Sequence, residues 1–149
     1  MGVNNMLKGI PSILSPELLK IMMEMGHGDE LVIGDGNFPA ANYAKRLVRL
    51  DGHNVADVLE AILKLYPLDT YVESPVTLME VVKGDSTKPV IWDEYKKIIE
   101  KNSGDVNIEY IDRFEFYDRA KEAYAIVATG ETALYANIIL KKGVVKTSE

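Results

Sequence analysis

Segments of helical periodicity alternate with short apolar, β-branched runs from Ser15 to Leu140. That alternation restricts the chain to an α/β layer architecture, with helices packed on a sheet. Ser15 is placed to cap a helix with Pro16 at its first position, an apolar face of Leu18, Leu19, Met22 and Met23, and Gly26 as its terminator. Residues 31–33 read as a short buried strand, 34–39 as turn chemistry and 47–50 as a second strand. Asn54 caps a helix in which Val55, Val58, Leu59, Ile62 and Leu63 recur at helical spacing until Pro67. A loop over 68–75 leads to a strand over 76–82. Pro89 opens a helix ended by Asn102-Ser103-Gly104, and a strand follows over 108–111. Asp112 caps a helix running from Arg113 to about Ala123. Residues 124–129 and 135–140 form the last two strands, separated by a turn at 130–132. That short separation predicts a hairpin, and with it a mixed, mostly parallel sheet. Residues 1–5 read as a disordered start. The 149 residues, without repeat or linker, read as one domain spanning 1–149.

Composition removes several kinds of chemistry. The chain has no cysteine, hence no thiol nucleophile, disulfide or thiolate metal site. Two histidines cannot build a three-histidine zinc site within one chain. GxxxxGK[ST], GxGxxG and GxSxG sequences do not occur, and Gly34-Asp35-Gly36 alone does not make a phosphate loop. A net charge of -6 argues against non-specific nucleic-acid binding. No apolar run approaches the ~20 residues of a membrane span, and residues 1–10 lack a secretory pattern. The expectation is a soluble cytoplasmic protein whose chemistry is acid–base or simple binding, without metal or cofactor.

The residues suited to that chemistry lie on predicted loops and element ends. His27 stands between Gly26 and Gly28. The flanking glycines leave the ring unshielded and let the backbone turn sharply, which suits presentation of an imidazole to a ligand. An imidazole ordinarily titrates near pH ~6.5 and so exchanges protons at neutral pH. The alternative is a solvated loop histidine, the reading given to His53. Asp35 follows the first strand and either stabilises its turn, orients His27 or holds a ligand hydroxyl. Asp69 carries the same alternatives. Arg113 opens a helix, where a positive charge opposes the macrodipole, so an anionic or polyhydroxyl partner or a salt bridge must justify it. Of Phe114, Phe116 and Tyr117 beside it, at least two are expected in the core. Tyr135 and Asn137, two apart on a predicted strand, would place a phenol and an amide on one side.

Taken together, Met25-Gly26-His27-Gly28-Asp29-Glu30, Asp35 with Asn37-Phe38-Pro39, Arg113-Phe114-Glu115-Phe116-Tyr117-Asp118-Arg119-Ala120, and Gly130-Glu131 with residues 135–144 resemble the RbsD/FucU family of sugar mutarotases. The resemblance covers about residues 6–144 and is closest to the branch acting on L-fucose. The D-ribose pyranase branch lacks the Arg-Phe-x-Phe-Tyr run. The resemblance implies an isomerase that interconverts anomers of a free monosaccharide, here L-fucose, by opening and reclosing the ring. It implies His27 as acid/base and Asp35 as its partner or a sugar ligand. Arg113, Tyr135, Asn137 and Asp69 would be further sugar contacts. Asp35, a tyrosine or a water would take the anomeric proton. The family forms ring-like homo-oligomers, often decamers, with sites near subunit boundaries. Asn37 and Ala136 depart from the family pattern, where histidine and glycine are common. A ribose pyranase and a non-catalytic sugar-binding accessory protein are the competing expectations.

Overall fold

The computed structural model describes residues 6–147, so the disordered start expected for residues 1–5 lies outside the described residues. Six strands form one sheet in the order β2 (Leu47–Leu50), β5 (Ala125–Thr129), β1 (Glu30–Gly34), β6 (Ile138–Lys141), β3 (Val76–Met79), β4 (Ile108–Ile111). Parallel ladders join β1 to β5, β2 to β5 and β3 to β4. β6 alone runs antiparallel, between β1 and β3. The sheet is therefore mixed and mostly parallel, as expected, but its antiparallel member pairs with β1 and β3 and not in the hairpin from which the mixed sheet was expected.

Both faces of the sheet are covered. Helices α1 (Pro16–Glu24), α3 (Val55–Leu63) and α4 (Ile91–Ser103) pack on the larger core, with Leu31 and Ile33 of β1 beneath them. Helix α5 (Arg113–Glu122) and the one-turn α2 (Ala40–Tyr43) cover the other face through Phe116, Ala120 and Ala40, against Val32, Ile126 and Ile139. Leu31, Val32 and Ile33 alternate between the two cores, as the pleat requires, and all three are fully buried. The expected caps form: Ser15 Oγ accepts from the Leu18 N–H, Asn54 Oδ1 from Asp57, and Asp112 Oδ1 from Phe114 and Glu115. No helix among the described residues is long and apolar enough to cross a membrane.

Four local expectations are corrected. Helix α1 stops at Glu24 because Met25 is extended, one residue before Gly26. The strand expected over 76–82 ends at Met79. Lys141, which together with Lys142 reads from the sequence as a solvated end, instead belongs to β6 and reaches Glu30. Most consequentially, β5 and β6 are not a hairpin, because β1 lies between them. The 130–137 connection is too long for a tight hairpin turn, and stepping over one strand requires only ~10 Å. It crosses the carboxyl end of β1, where Gly36 donates its N–H to Glu131 O at 2.8 Å.

Candidate active site

The parallel strands β1, β3 and β4 run out at one edge of the sheet, and the antiparallel β6 starts there. Such carboxyl ends are where open α/β sheets hold ligands. A cavity of about 230 Å³ opens at this edge, lined by Asp35 and Asn37 after β1, Arg113 after β4, and Tyr135 and Asn137 before β6. Phe38, Met79, Val82 and Leu134 supply apolar walls. The volume lies below the ~300–1,000 Å³ usual for drug-sized ligands and suits something smaller.

Each polar group is held from behind. Asp35 and Asn137 are two of the five buried polar residues among the described residues. Asn137 Oδ1 accepts the Asp35 N–H at 2.7 Å, which commits its oxygen and leaves its NH₂ for a ligand. Asp35 Oδ1 accepts from the Asn37 N–H at 2.9 Å. Burial pushes the Asp35 carboxyl above the ordinary carboxylate range, although the N–H groups of Asn37, Phe38 and Ala136 work against it. A carboxyl so raised, facing a cavity, is a natural proton-transfer candidate. Arg113 makes no ion pair or hydrogen bond among the described residues; its guanidinium lies 4.8 Å from the Phe114 ring centre. The salt-bridge explanation for a cation at this helix start therefore finds no support. Of the three aromatics beside it, Phe116 is buried and Tyr117 packs against the smaller core, while Phe114 is exposed.

Tyr135 reaches the cavity by a different route from the one its sequence spacing suggests. It precedes β6 and sits in the left-handed region, with φ at 57°. That conformation is uncommon outside glycine and asparagine and persists only when its surroundings hold it. The indole of Trp92 donates to Tyr135 O at 2.8 Å, and the buried Tyr95 hydroxyl to Ala136 O at 2.6 Å. Both clamps come from α4. Sequence reasoning also missed Asp85, which lines the cavity and accepts the Tyr135 hydroxyl at 2.5 Å. Its only local signal is Gly84-Asp85-Ser86-Thr87, an ordinary turn.

His27 lies elsewhere. It precedes β1, and Asp35 follows it; β1 alone spans about 15 Å at the strand rise of ~3.3 Å per residue. The structure does not bring His27 to Asp35 within one chain, because a strand between two residues separates them rather than returning the second to the first. His27 Nε2 instead meets Asp69 Oδ1 at 2.9 Å. Asp69 is buried, whereas the imidazole is about half exposed. Burial pushes the Asp69 carboxyl up, but the Tyr71 N–H, then His27 and Lys141, outweigh it and hold the group below its ordinary range. An ionised Asp69 favours the tautomer with the proton on Nε2, which puts the imidazole lone pair on Nδ1. Tyr71 places its ring 5.3 Å from the imidazole. Gly28, at φ +90°, makes the turn behind His27 and donates to Lys142 O. His53 remains an exposed turn residue.

The RbsD / FucU transport protein family matches residues 8–145. The chain is 50% identical over 149 residues to the fucose mutarotase of Danio rerio, covering 96% of this chain and 97% of that one. Its fold superposes on the crystal structure of the fucose mutarotase from Streptococcus pneumoniae in complex with L-fucose at a TM-score of 0.90. The two share 56% identity, over 94% of this chain and all of the other. Bacillus subtilis RbsD complexed with D-ribose is more distant, with a TM-score of 0.67 and 28% identity over 89% of this chain and 95% of that one. With nearly its whole length matched, this chain belongs to the RbsD/FucU family.

Proposed function

We propose that this chain, as one domain, is a cytoplasmic mutarotase that interconverts the α and β anomers of free L-fucose. The observation that carries the reading is the cavity at the carboxyl edge of the sheet. There a raised carboxyl, a guanidinium without an ion pair among the described residues, a phenol and a primary amide converge beside apolar walls. Hydroxyl-bearing and apolar faces together suit a 6-deoxy sugar, with its ring of hydroxyls and one methyl group. The likeness to fucose mutarotases at about half identity supports the same sugar.

Mutarotation requires two proton movements. The ring oxygen gains a proton as its bond to C1 breaks, and the anomeric hydroxyl loses one as C1 becomes an aldehyde. Rotation about C1–C2 and reclosure return the other anomer. In this reading His27 delivers the proton to the ring oxygen through Nδ1, with Asp69 holding the imidazole. Arg113, Tyr135 and Asn137 hold hydroxyls, and Asp35 binds the sugar or moves the second proton.

His27 belongs to one sheet edge and the cavity to the other, so both serve one sugar only if copies of the chain meet. We therefore propose a homo-oligomer, a ring in keeping with the family resemblance, in which the His27–Asp69 pair of one copy faces the cavity of the next. Exposed apolar side chains flank both halves: Tyr71 and Val72 beside His27, Val82, Phe114 and Leu134 around the cavity. NMR magnetisation exchange between sugar anomers tests the reading. Wild type should accelerate exchange of L-fucose more than of D-ribose, and His27→Ala should lose about 10²–10⁴-fold, the usual contribution of a positioned acid/base. Equal exchange by wild type and His27→Ala would remove the catalytic role and leave a sugar-binding accessory protein. Faster exchange of ribose would make the chain a pyranase.

A further inference from the structure

The geometry points to Asp85 as a positioning residue of the proposed reaction: by taking the single proton of the Tyr135 hydroxyl, it turns the phenol oxygen into an acceptor for a sugar hydroxyl. This rests on the mutarotase reading and specifies how one wall of the cavity works.

A phenol offers one donor and limited acceptor capacity. Tyr135 Oη donates to Asp85 Oδ2 at 2.5 Å and accepts from the Val82 N–H at 3.3 Å. Its proton and one acceptor direction are thereby committed to the 82–85 turn. What remains toward the cavity is acceptor capacity, and a sugar hydroxyl that approaches Tyr135 must donate. Polarity of this kind is needed at a hydroxyl that loses its proton during ring opening. A hydrogen bond to an ionised carboxylate also makes the phenol oxygen a stronger acceptor than a free phenol would be.

Asp85 is itself held for this task. Its Oδ1 accepts from both the N–H and the hydroxyl of Thr87, at 2.9 and 2.6 Å, which leaves Oδ2 for Tyr135. Gly84, at φ +92°, closes the turn, and the Asp85 N–H donates to Val82 O. The opposite side of Tyr135 is fixed by the Trp92 indole on its carbonyl. The phenol is thus restrained at both its backbone and its oxygen.

Kinetics of L-fucose anomer exchange in Asp85→Asn, Asp85→Glu, Tyr135→Phe and the Asp85→Asn/Tyr135→Phe double variant test the assignment, with melting temperatures as the folding control. Asp85→Asn should lower kcat about 10-fold with KM within about twofold, because an amide that donates to Tyr135 reverses the polarity at its oxygen. Asp85→Glu should recover part of kcat. The double variant should be no slower than Tyr135→Phe, since two residues acting through one hydrogen bond are not additive. Asp85→Asn with wild-type kcat, or losses that multiply in the double variant, would overturn the assignment while leaving the mutarotase reading intact. A wild-type protein that does not accelerate exchange would overturn both.

Discussion

At the residue scale the site is a set of polar side chains whose burial is matched by local donors. Asp35 shows what this costs. Its folded-state carboxyl lies above its unfolded value because burial disfavours the charge. Stability from this group is therefore fully present below the unfolded pKa of about 3.9 and is lost as pH rises through the folded value. Asp35→Asn keeps an oxygen to accept the Asn37 N–H but carries no charge to bury. This variant should melt above wild type at pH 7, with the difference closing toward about pH 4, while anomer exchange slows. Differential scanning fluorimetry across that range, alongside the exchange rate, checks both halves; an unchanged melting temperature at pH 7 would contradict the burial argument. His27 and Asp35 were legible as candidates from their glycine-flanked positions. Asp85 was not, because an aspartate in an exposed turn carries no local mark of the tyrosine 50 residues away.

At the element scale, two connections do what no single residue could. The 130–137 crossover lays Tyr135 and Asn137 over the carboxyl end of β1, and α4 clamps it through Trp92 and Tyr95. The segment after β6 performs the corresponding service for His27. Gly143 packs so closely on the 68–69 backbone that an added Cβ would stand 2.6 Å from Leu68 O and 2.7 Å from Asp69 Cα. Gly143→Ala must displace Asp69, and the imidazole with it. The expected result is a loss of about 10²-fold in kcat, the penalty a ~1 Å misplacement of a catalytic group brings. Comparison of its kcat with that of Asp69→Ala checks this; a wild-type rate would mean that the Asp69–His27 contact does not set the imidazole. Element boundaries and caps were largely readable, since capping and periodicity are local. Pairing was not: residues 124–129 and 135–140 read as a hairpin because sequence proximity favours it, and β1, with Leu31, Val32 and Ile33 fully buried, took the place between them.

At the scale of the whole molecule, the proposed pairing of one copy's His27 with the next copy's Asp35 cavity predicts complementation between variants. Mixing His27→Ala with Arg113→Ala, each inactive or weak alone, should restore exchange. Random reassociation of equal amounts places an intact His27 against an intact Arg113 at about a quarter of the sites if each site is shared by two copies. The measurement is the exchange rate after mild dissociation and remixing, with sedimentation velocity reporting the oligomer. No recovery on remixing, with hybrids shown to form, would place His27 and Arg113 in the same copy or in different functions. Arg113→Ala by itself should raise KM with little change in melting temperature, because its guanidinium has no ion pair to lose among the described residues.

The sequence by itself determined the layer architecture, most helix caps and the chemical types of the site residues. These follow from periodicity, from side-chain oxygens three residues from their donors, and from the absence of cysteine. Tertiary structure decided which of those residues share a pocket. Neighbours across a sheet are set by how whole strands pack together and by where an eight-residue connection can reach, neither of which is a local property. That is why His27 paired with Asp69 rather than Asp35, and why Tyr135 came to its place through a left-handed turn held by α4 and Asp85.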